Sequence, residues 1–498
     1  MMQINKRHLL FAAVCCLFIT IVYIATKINR AGSFPSDFKD FNKKARSKRE
    51  KITENLEPIL LIQDGKKKNY SIYELMKFLN VPGVSLAVFK DGHIDYQATY
   101  GYADQSNHRP LTINTLLQAG AISKPITAVA LIASGYDLNA DVRPKLQLLG
   151  LDDLYADYPD SAISARQLLS HTAGFNISKF SGYTDDKLPS INQILNAVKP
   201  ANNDAIRVIS KPGEKYNYSD GGYTVLELLL QLHKGQLFSE QAQQLFNKLR
   251  MTHSSYDVNK LTSKISYGHN HFGKKIKNNY NRYPEKAALG LWSTPLDLSL
   301  FALDVLSGLN KNSSRLLTRY QILDMLTNQT LENSTSGYAL GFFVETAEQG
   351  IKTFSHTGAN SGFWSLLLAD VNTGSGFVIM TNGDNGMLLA NIIGNTIAKI
   401  YGLSNYKPPV EVINNKIDPI YLREYQLSYS NESLKLFNTN DTLKIKLPMH
   451  NGAIYTLNLY QIAEKTYASE WIDTVKLTLD KNPFEAQEKS DPSDSFLS

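Results

Sequence analysis

Cysteine is almost missing from this chain: only Cys15 and Cys16 occur in 498 residues, side by side in one apolar run. The rest of the sequence has no thiol to form a disulfide, act as a nucleophile or build a zinc–thiolate site. Metal-ligand patterns are equally scarce. His269 and His271 stand two residues apart with no acidic or histidine partner in view, so neither a metal nor a cofactor is expected. Internal repeats are absent, and so is any excess of one charge beyond the N-terminus. The formal net charge of +6 arises in the first 50 residues, which hold ten Lys/Arg against three Asp/Glu. The body is near neutral, which argues against a nucleic-acid surface. What is present, 43% hydrophobic and 20% charged residues, suffices for a folded chain of two or three domains.

The apolar run extends from Leu9 to Ala25 behind Lys6 and Arg7. Its length is marginal for a bilayer and long for a signal-peptide core, so residues 1–26 are read as a single-pass membrane anchor. A cleaved signal releasing a secreted form is the alternative, given the small residues Ala31-Gly32-Ser33; no lipobox precedes either cysteine. The basic residues after the run, Lys27 to Arg49, would by themselves hold that side in the cytoplasm. The secretory-like start and the cysteine-free body favour the opposite orientation, with the globular part in the periplasm or outside the cell.

Residues 27–69 are polar and charge-rich and read as a stalk, with the globular part starting near Tyr70. Val84 to Phe89 has the composition of a strand, and Asp91-Gly92 turns it into Ile94-Asp95-Tyr96. A second hairpin is expected from Trp364–Val371 and Phe377–Thr381 around residues 372–376. Between the hairpins lie helical patterns at Ile126–Ser134, Ala165–Ser170 and Thr224–Leu232. Another begins at Thr294-Pro295-Leu296-Asp297, where Thr caps, Pro fits the first turn and Asp favours the positive helix end. A last helix, Met387–Tyr401, ends at Gly402. The expectation is an α+β fold, an antiparallel sheet flanked by helices with a helical subdomain. Past Pro408-Pro409, alternation at Leu443/Ile445/Leu447, Leu457/Leu459 and Val475/Leu477/Leu479 predicts a small β domain over 410–482, then a polar tail over 483–498.

One series of short motifs carries chemistry. In chain order they are Val81-Pro82-Gly83-Val84-Ser85, Gly120-Ala121-Ile122-Ser123-Lys124-Pro125-Ile126-Thr127, Leu168-Leu169-Ser170-His171-Thr172-Ala173-Gly174, Pro212-Gly213-Glu214, Tyr218-Ser219-Asp220-Gly221-Gly222-Tyr223, Gly290-Leu291-Trp292-Ser293-Thr294 and His356-Thr357-Gly358. Each piece alone is weak: Ser36-Asp37-Phe38-Lys39 and Ser404-Asn405-Tyr406-Lys407 match a Ser-x-x-Lys pattern by chance. Together and in this order, over about residues 70–405, they resemble the class C beta-lactamases, penicillin-binding proteins and related esterases. That resemblance implies a beta-lactamase/transpeptidase-like fold and an acyl-enzyme serine hydrolase acting on beta-lactams, D-amino-acid peptides or esters.

The resemblance also assigns roles. Ala121 occupies the nucleophile position, where a serine would stand three residues before Lys124 on one helix face, its proton drawn off by the lysine. A methyl group cannot attack a carbonyl. Tyr218 matches the tyrosine that shares base duty with Lys124, a task requiring nearby cations that favour its phenolate. Asp220 stands where the family often has Asn and, by pairing with Lys124, would hold that lysine charged. His356-Thr357-Gly358 matches the strand lining one wall, His356 offering a donor to a substrate carboxylate or carbonyl. The backbone N–H groups of Ala121 and Ala359 would form the oxyanion hole. His171 is as suited to orienting a loop as to touching a ligand. Ser123, roughly 200° around a helix from Ala121, would face away and cannot substitute.

Three readings follow: a serine hydrolase scaffold without its nucleophile and so impaired in catalysis; a natural pseudoenzyme that binds cell-wall peptides or a protein partner; and a hydrolase whose water is activated by Tyr218 and Lys124. Beside that protein partner, the partners expected are a small-molecule or peptide ligand and, through the N-terminal segment, the membrane.

Overall fold

The computed structural model describes residues 48–57, 60–61, 69–257, 264–330, 335–348 and 350–411, and six strands between 424 and 478. Two compact units are distinguished, residues 1–51 and 52–498; of the first, residues 48–51 are described and are helical. The expected anchor at 9–25 and the tail at 483–498 lie outside the described residues. Among the described residues no helix is long and apolar enough to cross a membrane.

The larger unit opens with β1 (Leu60–Leu61) and α1 (Ile72–Phe78), the latter started by a capping box in which Ser71 and Glu74 satisfy each other's backbone N–H groups. Strands β2 (Gly83–Lys90) and β3 (His93–Asp104) form the first hairpin, turned by Asp91 and Gly92 at φ +53° and +87°. Short strands β4 (Arg109–Pro110) and β5 (Leu117–Gln118) follow, then α2 (Ser123–Ala133), α3 (Arg143–Gln147), α4 (Ala165–Leu169), α5 (Ile191–Leu195), α6 (Asp220–Lys234), α7 (Phe238–Leu249) and α8 (Lys286–Leu289). After β6 (Trp292–Ser293) come α9 (Pro295–Lys311) and α10 (Arg319–Met325), then β7 (Ser336–Tyr338), β8 (Phe343–Ala347), β9 (Gly350–Asn360), β10 (Phe363–Asp370), β11 (Ser375–Thr381) and α11 (Gly386–Tyr401). The sheet is antiparallel, eight strands in the order β4-β3-β2-β11-β10-β9-β8-β7, so the β2–β3 and β10–β11 hairpins are neighbours at its centre.

Side-chain alternation on the central strands divides the core in two. Val84, Leu86 and Val88 of β2 and Phe377 and Ile379 of β11 point to one face, where Met387, Leu389 and Ile393 of α11 cover them. Val378 and Met380 of β11 and Leu367 and Ala369 of β10 point to the other, which buries α2, α6 and α9. Helices on both faces explain why β2 and β11 are buried almost throughout rather than on alternate residues.

The expected polar stalk differs from what is found. Ile52 and Leu56 are fully buried in the cluster under α11, Leu56 exchanges two backbone hydrogen bonds with Tyr70, and β1 pairs in parallel with β12 (Val410–Glu411). The packed body therefore reaches back well before Tyr70. Ile52 lies in the helical residues 48–54 and Leu56 in an extended bridge just after them, so the two apolar residues share no single period, and the polar residues around them hid the pattern. Beyond β12, six strands, β13 (Glu424–Gln426), β14 (Ser433–Thr439), β15 (Thr442–Pro448), β16 (Ile454–Ala463), β17 (Thr466–Ser469) and β18 (Lys476–Thr478), form an antiparallel meander. Leu443 and Leu459, paired across β15 and β16, are buried with the α11 cluster.

Candidate active site

The site is built where the β5–β6 pair delivers the chain to α2. Gly120, at φ +54°, starts a single 3₁₀ turn, Gly120–Ile122, that runs directly into the helix. A Cβ on Gly120 would stand 2.7 Å from the backbone nitrogen of Ala359, so only glycine lets the turn lie this close to β9. Ala121 is the middle residue of that turn and 9% exposed. Ser123 is fully buried; its hydroxyl donates to Gly120 O at 2.7 Å and accepts from Leu291 N–H at 3.1 Å, which ties it to the α8–β6 segment.

Lys124 is fully buried, and its Nζ donates to Asp220 Oδ1 at 2.6 Å and to the carbonyl of Ala288 at 3.4 Å. Asp220 is the first residue of α6, where the helix dipole favours a carboxylate. Ser219 sets that start: its hydroxyl accepts from Gly222 N–H at 2.9 Å and donates to Asn176 O at 2.5 Å. Burial pulls the Lys124 amine below its ordinary pKa, and the charge and hydrogen bond of Asp220 oppose it. The ammonium thus meets its counter-ion within the site.

Tyr218 remains partly exposed beside this pair. The lysine nitrogen lies over its ring face, 4.7 Å from the centroid. Burial, followed by the charge of Asp220, pushes the Tyr218 phenol well above its ordinary value, so the phenolate expected from a neighbouring cation does not form at neutral pH.

His171 is wedged among Tyr218, Tyr338, Tyr223 and Tyr216, with ring centroids 4.1, 4.7, 5.1 and 5.9 Å away. Its Nδ1 accepts from Ser219 N–H at 3.0 Å, while Nε2 is buried without a hydrogen-bond partner. Burial and then the Lys124 charge hold this imidazole well below its ordinary pKa. His171 thereby braces the residue that starts α6, the loop-orienting one of the two roles open to it.

On β9 the side chains alternate. His356, Gly358 and Asn360 turn inward and are buried, while Thr357 and Ala359 are partly exposed. His356 Nδ1 donates to Thr357 O at 2.5 Å, and Nε2 accepts from the Tyr338 hydroxyl at 2.9 Å. Both ring nitrogens are engaged, and burial with the Lys124 charge lowers the pKa to about 3. The imidazole is neutral and has no donor left for a ligand carboxylate, unlike the role expected for it. Gly358 packs against the Ala119 carbonyl, and Ser365 on β10 donates to the same oxygen at 2.8 Å. The chain thus brings Lys124, Tyr218 and Asp220 together and sets Gly358 and Ala359 against the turn that carries Ala121.

His269 and His271 are engaged elsewhere. His269 Nδ1 donates to Asn382 O at 2.9 Å, and the His271 ring packs on Phe272. Among the described residues no group of three His, Cys, Asp or Glu side chains is arranged to hold a metal ion.

Sequence reasoning missed two acids behind Lys124. Glu227 of α6 is buried and its Oε2 accepts from Ala287 N–H at 2.9 Å; Glu285, just before α8, is fully buried, and no other residue donates to its carboxyl oxygens. Burial raises Glu227 to about 7 and Glu285 to about 8. The only sequence signal was an acid placed against the apolar run Ala287-Ala288-Leu289.

Residues 72–395 match the protein family described as Beta-lactamase. The chain is 23% identical over 350 residues to "Protein flp" of Staphylococcus aureus (strain MRSA252), covering 68% of this chain and 67% of that one. It is 24% identical over 184 residues to "Penicillin-binding protein 4*" of Bacillus subtilis (strain 168), 36% of this chain and 38% of the other. Among solved structures, the octameric penicillin-binding protein homologue from Pyrococcus abyssi superposes with a TM-score of 0.57 at 19% identity, covering 82% of this chain and 93% of that one. The D-amino acid amidase from Ochrobactrum anthropi SV3, complexed with L-phenylalanine amide, gives 0.53 at 19% identity, covering 66% and 97%. At these identities the structures speak for the fold alone.

Proposed function

Because this chain belongs to the beta-lactamase family, we propose that it keeps the family's ligand site without acyl-transfer chemistry, with Ala121 at the place of the nucleophilic serine. The observation that carries this reading is the buried Lys124–Asp220 pair at 2.6 Å, three residues on from a side chain that has no oxygen. The Asp220 carboxylate holds the lysine as an ammonium more firmly than a neutral amide there would, and a methyl leaves it nothing to deprotonate. Loss of the serine in another hydrolase costs about 10⁶ in turnover, roughly 8 kcal/mol, which ordinary tuning elsewhere does not restore.

Binding and attack are separable. Of the readings left open by the sequence, the Lys124–Asp220 pair favours a natural pseudoenzyme that holds D-amino-acid-bearing cell-wall peptides. Two positions then depart from catalysis together, and each supports the other.

Restoring the hydroxyl tests the assignment. In Ala121→Ser a fluorophosphonate probe should label the introduced side chain, with faster labelling in Ala121→Ser/Asp220→Asn, where the lysine is released; the unaltered chain should neither label nor hydrolyse a chromogenic beta-lactam. Failure of both variants to label, or turnover by the unaltered chain, would overturn it. Saturable calorimetric binding of a D-alanyl-D-alanine peptide to the unaltered chain is the expected sign of the retained site.

A further inference from the structure

We propose that the hairpin of residues 269–275 docks on an anionic phospholipid bilayer, with Phe272 entering the headgroup region and Lys274, Lys275 and Lys277 meeting the lipid phosphates. The inference goes beyond the ligand-site reading and does not depend on it.

The stretch from Val258 to Pro284 carries six Lys/Arg and no Asp/Glu, inside a body whose summed charge is near zero. Its middle folds into a tight hairpin closed by the His269–Lys275 bridge. Asn270 shapes the tip. Its N–H donates to Lys274 O at 2.8 Å, its carbonyl accepts from Gly273 N–H at 2.8 Å, and its Oδ1 accepts from the N–H groups of Phe272 and Lys274 at 3.0 and 3.1 Å. Gly273 supplies the left-handed φ of +73° at the tip. The base is fastened too: buried His269 donates its N–H to Asn382 O at 3.0 Å and accepts from Asp384 N–H at 3.0 Å. Phe272 is thus held 67% exposed on a fixed turn, its ring resting against His271. A rigid tip gives up little conformational freedom when a surface covers it.

The tip is tied to a second exposed ring. Asn385 Nδ2 donates to Leu79 O at 2.6 Å and to His271 O at 2.9 Å, joining the residue after Phe78 to the residue before Phe272. Phe78, 63% exposed, ends α1 beside exposed Lys77. Lys274, Lys275 and Lys277 are exposed as well, Lys275 lying 5.2 Å over the Tyr267 ring. The acids within electrostatic reach of the hairpin are already engaged: Asp104 by Ser106 and Asn107, Asp384 by the Gly362 N–H at 2.7 Å. Single exposed apolar side chains are ordinary. Leu148 is more exposed than Phe272, but Asp152, Asp153 and Asp157 follow it and would be repelled by an anionic surface. At the hairpin, rings and lysines coincide, the combination that seats a protein surface among anionic headgroups. A soluble polyanion would engage the lysines and leave both rings in water. The apolar run Leu9–Ala25, read above as an anchor, would keep the body within reach of a bilayer.

The test places the full chain in vesicles of phosphatidylcholine with brominated acyl chains, made with and without roughly one-third phosphatidylglycerol. Phe272→Trp adds an indole at the tip, and its emission is taken as the difference from the unaltered chain, which carries Trp292, Trp364 and Trp471. The added emission should be quenched in the anionic vesicles and little affected in the neutral ones. Adding Lys274→Glu/Lys275→Glu/Lys277→Glu should lower the ratio of quenched to unquenched emission at least about 10-fold. No quenching in the anionic vesicles, equal quenching in both, or quenching that survives the three reversals would overturn the inference. So would lysine-dependent binding of inorganic polyphosphate by a chain whose added indole stays unquenched, since that assigns the lysines to a soluble polyanion. If the reversed chain fails to fold, salt decides on Phe272→Trp itself: quenching in the anionic vesicles that is unchanged between low and high salt also overturns it.

Discussion

His171 and His356 are buried as neutral imidazoles, and Glu227 and Glu285 are buried carboxyls raised to about 7 and 8. The two kinds of residue pull stability in opposite directions. Below an unfolded histidine pKa of 6.5 the unfolded chain takes up protons that the folded chain refuses, so stability falls as pH drops toward the His356 value of about 3. Above the ordinary glutamate value of 4.5 the unfolded chain loses protons that the folded chain retains, so stability falls as pH climbs through about 7 to 8. The midpoint of urea unfolding is therefore expected to peak at about pH 5.5 and decline on both sides. A midpoint that climbs steadily from about pH 5.5 to about 8.5 would contradict the buried-acid assignment. The sequence motifs pointed to His171 and His356 as neighbours of the site but could not reveal their protonation, since that depends on which groups surround them.

Elements were legible where start and stop signals are local. Thr294 caps α9 through Asp297 N–H at 3.3 Å with Pro295 in the first turn, and α11 stops at Gly402 in the left-handed region, as their sequences suggest. Strands β10 and β11 fall within a residue or two of the expected bounds. Helix α6 begins earlier than its apolar pattern, because Ser219 caps it ahead of two glycines that weaken the helical signal. The junction between β9 and the turn before α2 was not legible, since it joins segments more than 200 residues apart. At that junction a Cβ on Gly358 would stand 1.9 Å from Ala119 O. Gly358→Ala should therefore force β9 off the turn, cost about 1–3 kcal/mol and abolish probe labelling in the Ala121→Ser background. Unchanged thermal unfolding and unchanged labelling would show that the two segments part without consequence.

For the whole molecule the telling region is the approach to the fold. Ile52 and Leu56 pack under α11, and Thr53 shares a hydrogen bond of 2.9 Å with Tyr100. Leu56→Ala should cost about 2–5 kcal/mol in chemical denaturation, as for a core leucine, whereas a polar stalk would tolerate it within about 0.5 kcal/mol. A null result would return this segment to a tether. Composition misled here because charged residues surround two apolar ones, and two contacts leave no periodic signal.

By itself the sequence determined the α+β class, most of the elements, the order of the motifs and the absence of an oxygen at position 121. Those follow from near-neighbour rules: alternation, capping, turn chemistry and residue identity. Only the tertiary structure decided that Lys124 is held by Asp220, that His356 has no free donor, and that Glu285 is fully enclosed. Each of those outcomes depends on desolvation and on partners brought from distant parts of the chain, and neither quantity is written in the local order of residues.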